Sequence, residues 1–358
     1  MFRNGQLITE QKLRLDGNRF AIPHTDYSNN DDLMVNVYAR LRNSTPWAEA
    51  GFVVAREQFA LQTTNFMAPK EGQPATARKT ADGIVVTTDN GSVTIDPTGA
   101  LCSWIVEGEE LLHAPLEPYF WKPENDNQRA AHFAERLAVW KDAATNRTIR
   151  SVTMKKDEHM MHVKVDMSQP VGADMTLTYS INNNGQIVVD ADYHPTASDI
   201  PLMPKFGMRM RLPADYMQVS YYGRGPWENY PDRKRSAFIG KYSMPLSAYE
   251  TEYVHPQDNG NRCDIKWFEI TSPSRNIRIT GEQPLCIRAW DYGEENLHVG
   301  HPGELTRGHF VNLNIDLNIH GVGGADTWGR RTLPPYTIDG AKPHHYCFML
   351  EASKPSDR

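Results

Sequence analysis

Long apolar runs are missing from this chain of 358 residues. No stretch approaches the length of a membrane-spanning helix, and Met1-Phe2-Arg3-Asn4-Gly5-Gln6 carries none of the apolar region of a signal peptide, so a soluble protein is expected. Cysteine is scarce. Cys102, Cys263, Cys286 and Cys347 are widely scattered, with no close pair of the kind a zinc knuckle or redox motif needs; buried thiols are expected, and pairing between distant ones depends on geometry the sequence does not give. An excess of one charge is absent too. With 38 basic and 44 acidic residues the net charge is −6 without long runs, which argues against a nucleic-acid or membrane-surface partner and suits a neutral substrate. His159-x-x-His162 and His298-x-x-His301 lack supporting cysteine or carboxylate spacing, so surface or loop histidines are expected there and no metal site. There is no propeller repeat and no alternation of strands with helices, which excludes a propeller and a (β/α)₈ barrel.

What is present is a period of two. Met161/Val163/Val165/Met167, Met175/Leu177/Tyr179/Ile181, Ile187/Val189/Ala191/Tyr193 and Phe206/Met208/Met210/Leu212 each alternate with polar residues, as half-buried antiparallel strands do. Asp89-Asn90-Gly91 and Asn182-Asn183-Asn184-Gly185 supply turns between runs. One helix is expected, from Gln128 to Asp142, where Phe133, Leu137 and Trp140 fall at i, i+4 and i+7 and Asn125 or Asp126 caps the start. Residues 1–61 hold a few strands, chiefly Leu33 to Leu41 and Phe52 to Leu61, and open on Asn4-Gly5, a hairpin signal with three residues before it, as if a domain were cut. Residues 62–80 contain two prolines and almost no apolar period, so a linker is expected there and a second domain over 81–358.

Two polar stretches stand apart. Gly321-Val322-Gly323-Gly324-Ala325-Asp326-Thr327-Trp328-Gly329 gathers glycines before a tryptophan, which lets the chain turn sharply and present a flat ring on a loop. Trp328 then either stacks on the apolar face of a hexose or is a core ring beside a tight turn; spacing alone does not decide. Gly225-Pro226-Trp227-Glu228-Asn229-Tyr230-Pro231-Asp232-Arg233 is the second. Its charged residues, interleaved with aromatics, are expected to tie a loop down rather than catalyse.

In order, these motifs resemble the C-terminal end of the large bacterial β-galactosidases of glycoside hydrolase family 2, over nearly the whole chain. Trp47-Ala48-Glu49-Ala50-Gly51 is similar to the close of the family's fourth, immunoglobulin-like domain, and Phe120-Trp121-Lys122-Pro123-Glu124-Asn125-Asp126-Asn127 to the entry of its fifth. Tyr253-Val254-His255-Pro256-Gln257-Asp258-Asn259-Gly260-Asn261-Arg262-Cys263, His301-Pro302-Gly303-Glu304-Leu305, the strand from Val311 to Asp316 and the turn that ends in Trp328 complete the series. Lys122 stands where the family has arginine, in a shortened run, and Ala325 where it usually has aspartate.

The resemblance implies an all-β fold: a large antiparallel super-sandwich of the galactose-mutarotase type over residues 81–358, preceded by part of an immunoglobulin-like sandwich over 1–61. It implies that this domain forms one wall of the active-site pocket of an enzyme hydrolysing terminal β-D-galactosides with retention, with Trp328 reaching the substrate. Both catalytic glutamates would come from a (β/α)₈ barrel absent here, so no catalytic residue and no cofactor are expected in this chain, magnesium and sodium being bound by other domains. The implied partners are a galactoside and the remaining N-terminal domains including the barrel, in the bacterial cytoplasm or periplasm. Two other readings stay open, a free-standing mutarotase or epimerase with a glutamate and a histidine as base and acid, and a non-catalytic carbohydrate-binding module.

Overall fold

The computed structural model of the protein describes residues 1–13, 19, 21–22, 26–70, 72–326 and 328–355. Among the described residues two sheets account for the named strands, one of four and one of seventeen, both antiparallel. In the smaller, Phe2–Arg3 turns through Asn4 (φ 48) and Gly5 (φ 78) into Gln6–Leu7, a two-residue hairpin whose left-handed pair matches the sequence signal. Phe2–Arg3 then pairs with Leu33–Arg40, which pairs with Val53–Gln62. This sheet rests on the larger one. Gln58 exchanges hydrogen bonds of 2.9 and 2.7 Å with the backbone of Ile239, and the Arg56 guanidinium lies 5.1 Å from the ring centroid of Trp227.

The large sheet folds into two layers joined by one long strand. Thr148–Lys156, Met161–Gln169, Ala173–Ile181, Ile187–Pro195 and His344–Ser353 pair in that order, and the last pairs with the first half of Asn276–Trp290. The second half of Asn276–Trp290 pairs with Phe310–Ile319, which continues through Lys205–Pro213 and Ala114–Pro118 to Leu101–Val106 and the hairpins before it. The alternating apolar residues of both layers, from Val163, Leu177 and Val189 to Val86, Met210 and Leu313, meet in one buried cluster, as super-sandwich geometry requires. Tyr179 and Tyr193 are in that core with each hydroxyl donating to a backbone carbonyl, of Gly99 and Gly340, at 2.9 Å. No helix among the described residues is long and apolar enough to cross a membrane.

Two local expectations are corrected. The helix expected over Gln128–Asp142 is instead Asp126–Ala130, Phe133–Arg136 and a 3₁₀ turn at Ala138–Trp140, broken at His132, whose φ is 52. Phe133, Leu137 and Trp140 are all buried, so the spacing identified the inward residues correctly. Gly329 packs close beside Ala130, where a Cβ would be 2.8 Å from the Ala130 carbonyl oxygen, so only glycine fits there. The second correction falls in the expected linker, where Thr76–Thr80 is a strand paired with Gly83–Thr87.

Candidate functional site

The loop that carries Trp328 leaves the strand Phe310–Ile319 and is held at its root by side chains far away in sequence. The Asp232 carboxylate accepts hydrogen bonds from the backbone N–H of Val322 at 3.1 Å and of Gly323 at 2.8 Å. Asn125 donates to the carbonyl of Val322 at 3.1 Å, and Gln128 to that of Gly321 at 3.0 Å. Asn125 and Gln128 are themselves locked as a reciprocal capping box at the start of the helix Asp126–Ala130. Glycine is required at 321 because a Cβ would sit 2.7 Å from the Asp232 carboxylate, and at 323 and 324 because φ is 77 and 105. Beyond this root, Asp326 accepts from the N–H groups of Trp328 (3.0 Å) and Arg330 (3.1 Å), closing the loop on itself. Thr327 lies outside the described residues. Trp328 itself is 92 % exposed, so it is not a core ring.

Lys122, at the position where the resemblance expects arginine, is fully buried beneath this root. Its ammonium group has three acceptors: Pro123 O at 2.9 Å, Gln128 Oε1 at 2.7 Å and Asp258 Oδ2 at 3.1 Å. An ammonium has three protons, so lysine is fully satisfied without the fork of an arginine. Asp258 also binds Arg288, whose other arm donates to Glu294 Oε1 at 2.9 Å. Burial opposes ionisation of Asp258, yet Arg288 and Lys122 outweigh it and hold the carboxyl below its ordinary range. Burial pushes Lys122 down. The strand Phe310–Ile319 adds a second buried pair, Asp316 with Lys205 at 2.8 Å. Burial there raises the Asp316 carboxyl to about 6 and lowers Lys205 to about 8.

This network was not foreseen. Asn312, Asn314 and Asp316 alternate with Val311, Leu313 and Ile315, so a period-two reading sends them to solvent, but both faces of the strand are buried. Glu228 and Asn229 also act on the backbone: Glu228 accepts from the N–H of Gly260 at 2.7 Å and binds Arg233 and Tyr253, while Asn229 accepts from the N–H of Cys263 at 2.9 Å.

A cleft of about 460 Å³ opens on the flank of the loop, lined by Phe133, Arg136, His320, Arg330, Arg331 and Thr332 among others. His320 is 4 % exposed; its Nδ1 donates to the carbonyl of Gly321 at 2.9 Å, and burial lowers its pKa to about 4, so the ring is neutral with Nε2 as an acceptor.

The histidine pairs sit elsewhere. His162 bridges Ser180 and Asp157, each at 2.8 Å, and His298 contacts the carbonyl of Glu295. Among the described residues one group has metal-ligand composition, Asp190, Asp192 and His345 on the outer face of the sandwich, with no spacing signal because it spans two strands. The four cysteines are free thiols, with Cys263 and Cys286 3.6 Å apart across neighbouring strands.

The family model for the β-galactosidase small chain matches residues 87–350. The chain belongs to this β-galactosidase family. The model of β-galactosidase domain 4 matches residues 2–62, so this C-terminal region carries parts of two successive units. The β-galactosidase of Priestia megaterium is 29 % identical over 327 residues, covering 90 % of this chain and 32 % of that enzyme. Those of Lactobacillus delbrueckii subsp. bulgaricus and Photobacterium profundum are 28 and 31 % identical, covering 93 and 80 % of this chain and 33 and 29 % of theirs. The chain thus spans about a third of the length of these relatives. Among solved structures, the galactose 1-epimerase of Lactobacillus acidophilus NCFM is similar with a TM-score of 0.48 at 9 % identity, covering 80 % of this chain and 99 % of the epimerase.

Proposed function

We propose that this chain is the C-terminal portion of a β-galactosidase that hydrolyses terminal β-D-galactosides with retention, and that its part is to form one wall of the substrate pocket. The observation that carries this reading is Trp328, an indole standing almost fully in solvent on a loop whose root is tied by Asp232, Asn125 and Gln128. An exposed aromatic is ordinarily a liability; on a pinned loop it is a platform for the apolar face of a hexose. Retention needs two carboxylates about 5–5.5 Å apart, one as nucleophile and one as acid/base. In this reading the rest of the assembly provides them from its barrel, together with any bound cations. Trp328 orients the sugar and the loop excludes water, which lowers the barrier without a chemical step by this chain.

The purified chain is expected to show no turnover of a chromogenic β-galactoside. Turnover that disappears in Trp328→Ala would place the chemistry in this chain and overturn the assignment. The readings as a mutarotase or as an autonomous binding module make different predictions. The first requires anomer interconversion by the chain alone. The second requires micromolar sugar affinity, whereas a single wall binds at about millimolar strength or weaker because most contacts are missing.

A further inference from the structure

Two carboxylates and an imidazole meet on the outer face of the sandwich, each carried by a paired strand. In Ile187–Pro195 the core takes Val189, Ala191 and Tyr193, all fully buried, so Asp190 and Asp192 point the other way. The neighbouring strand His344–Ser353 pairs His345 with Asp192 and Cys347 with Asp190, and residues opposite one another in an antiparallel pair share a face. One oxygen of each aspartate and a ring nitrogen of His345 all lie within 4.8 Å of one another. Adjacent ligand atoms around a cation bound at about 2.1 Å are about 3.0–3.4 Å apart, so small rotamer shifts close the set. The set is also short of partners. His345 Nε2 donates to Asp190 Oδ2 at 2.9 Å, but among the described residues the Asp192 carboxylate has neither a hydrogen bond nor an ion pair, and no lysine or arginine pairs with Asp190, Asp192 or the nearby Glu282. Outward carboxylates elsewhere on the sheet do have such partners, as Asp174, Asp166 and Glu117 show. Three carboxylates thus face one imidazole, a field that favours a divalent cation. Cys347 is not counted as a ligand, since it is 5 % exposed and burial pushes its thiol up to about 12.

We propose that Asp190, Asp192 and His345 form a binding site for a divalent transition cation of the zinc class, with water completing its coordination. A mixed set of two carboxylate oxygens and one imidazole nitrogen suits zinc or manganese better than magnesium or calcium, which prefer oxygen alone. The side chains of His345 and Asp190 are 49 and 34 % exposed, so the cation enters from solvent and keeps water ligands. On binding, the cation takes the Nε2 lone pair of His345, and the proton that Nε2 now donates to Asp190 leaves to solvent. The consequence is mechanical. The ligands come from two strands, and His344–Ser353 also pairs with Asn276–Trp290, the strand that joins the two layers, so the cation clips the last strand of the sandwich to its neighbour. The site depends on this register alone and not on the role given to Trp328.

The test titrates zinc chloride, manganese chloride and magnesium chloride separately into the EDTA-treated full chain by calorimetry, and follows urea unfolding with and without zinc. Manganese adds a second readout, because it has little affinity for the free thiols and broadens the NMR signals of residues beside it. Asp192→Asn keeps the size of the side chain and His345→Gln removes only an exposed pair, so both variants should fold with an unchanged urea midpoint in EDTA. The expected result is one zinc per chain with a dissociation constant on the order of micromolar, magnesium weaker by at least about tenfold, and zinc binding weakened about tenfold in each variant. Manganese broadening should centre on Asp190, Asp192 and His345, and zinc should raise the urea midpoint more in the parent chain than in either variant. No saturable binding of zinc, broadening centred elsewhere, or an affinity unchanged in either variant overturns the proposal. Magnesium binding as tightly as zinc also overturns it, because the imidazole would then not be a ligand.

Discussion

Replacing Asp232 with alanine removes the acceptor for two backbone amides at the root of the Trp328 loop, at 3.1 and 2.8 Å. A hydrogen bond to a charged group contributes about 1.5–3 kcal/mol net, and Asp232 is only half-buried, so the lower figure applies and the pair is worth about 3 kcal/mol. Because the loop is a local unit, most of this falls on local opening rather than on global unfolding. A change of about 3 kcal/mol speeds exchange through such openings by about a hundredfold. Native-state hydrogen exchange of Asp232→Ala should therefore show the amides of Val322 and Gly323 losing about that much protection. The core strand residues Val163 and Leu177 should be unchanged. Asp232→Asn keeps one acceptor oxygen and should fall between, at about tenfold. Unchanged protection at Val322 and Gly323 in the alanine variant would refute the view that Asp232 pins this loop.

Other perturbations address the groups beneath and beside it. Lys122→Met leaves Asp258 with one buried cation instead of two, at a cost of about 3 kcal/mol, seen as a lower urea midpoint; an unchanged midpoint would mean the network adds nothing to stability. His320 has its pKa lowered by burial from 6.5 to about 4, so the unfolded chain binds the extra proton first. Its contribution is whole above pH 6.5 and is lost as pH falls towards 4, to a total of about 3 kcal/mol. The drop in urea midpoint between pH 7 and pH 4.5 should be smaller in His320→Gln, and an identical drop would discount the histidine. Cys263, Cys286 and Cys347 are at most 5 % exposed and should resist a thiol reagent until the chain is denatured, with Cys102 reacting first; rapid native labelling of all four would contradict the packing.

The sandwich was legible because its strands bury one face, and a half-buried strand declares itself by alternation, as in Met175/Leu177/Tyr179/Ile181. Where both faces are buried the same rule misleads. Asp316 and Asn314 occupy polar positions of the alternation yet lie against Lys205 inside the protein, and only the pairing of the Lys205–Pro213 strand with the Phe310–Ile319 strand brings them together. Thr76–Thr80 was hidden for the opposite reason. It holds Arg78 and Lys79 and carries little apolar signal, as strands near an edge often do. The helix failed in form although its buried residues were right, because three inward-pointing side chains at helical spacing do not reveal that the chain turns into the left-handed region at His132. The glycines before Trp328 left an exposed and a core ring both open, and only the fold shows the ring in solvent.

The most direct test of the pocket-wall account is a titration of the chain with galactose and lactose, following the Trp328 indole resonance, with Trp328→Ala as control. The account predicts weak, saturable shifts at about millimolar sugar that identify Trp328 and are lost in the variant. Saturable binding of equal strength in Trp328→Ala, with no change at the indole in the parent chain, would contradict it.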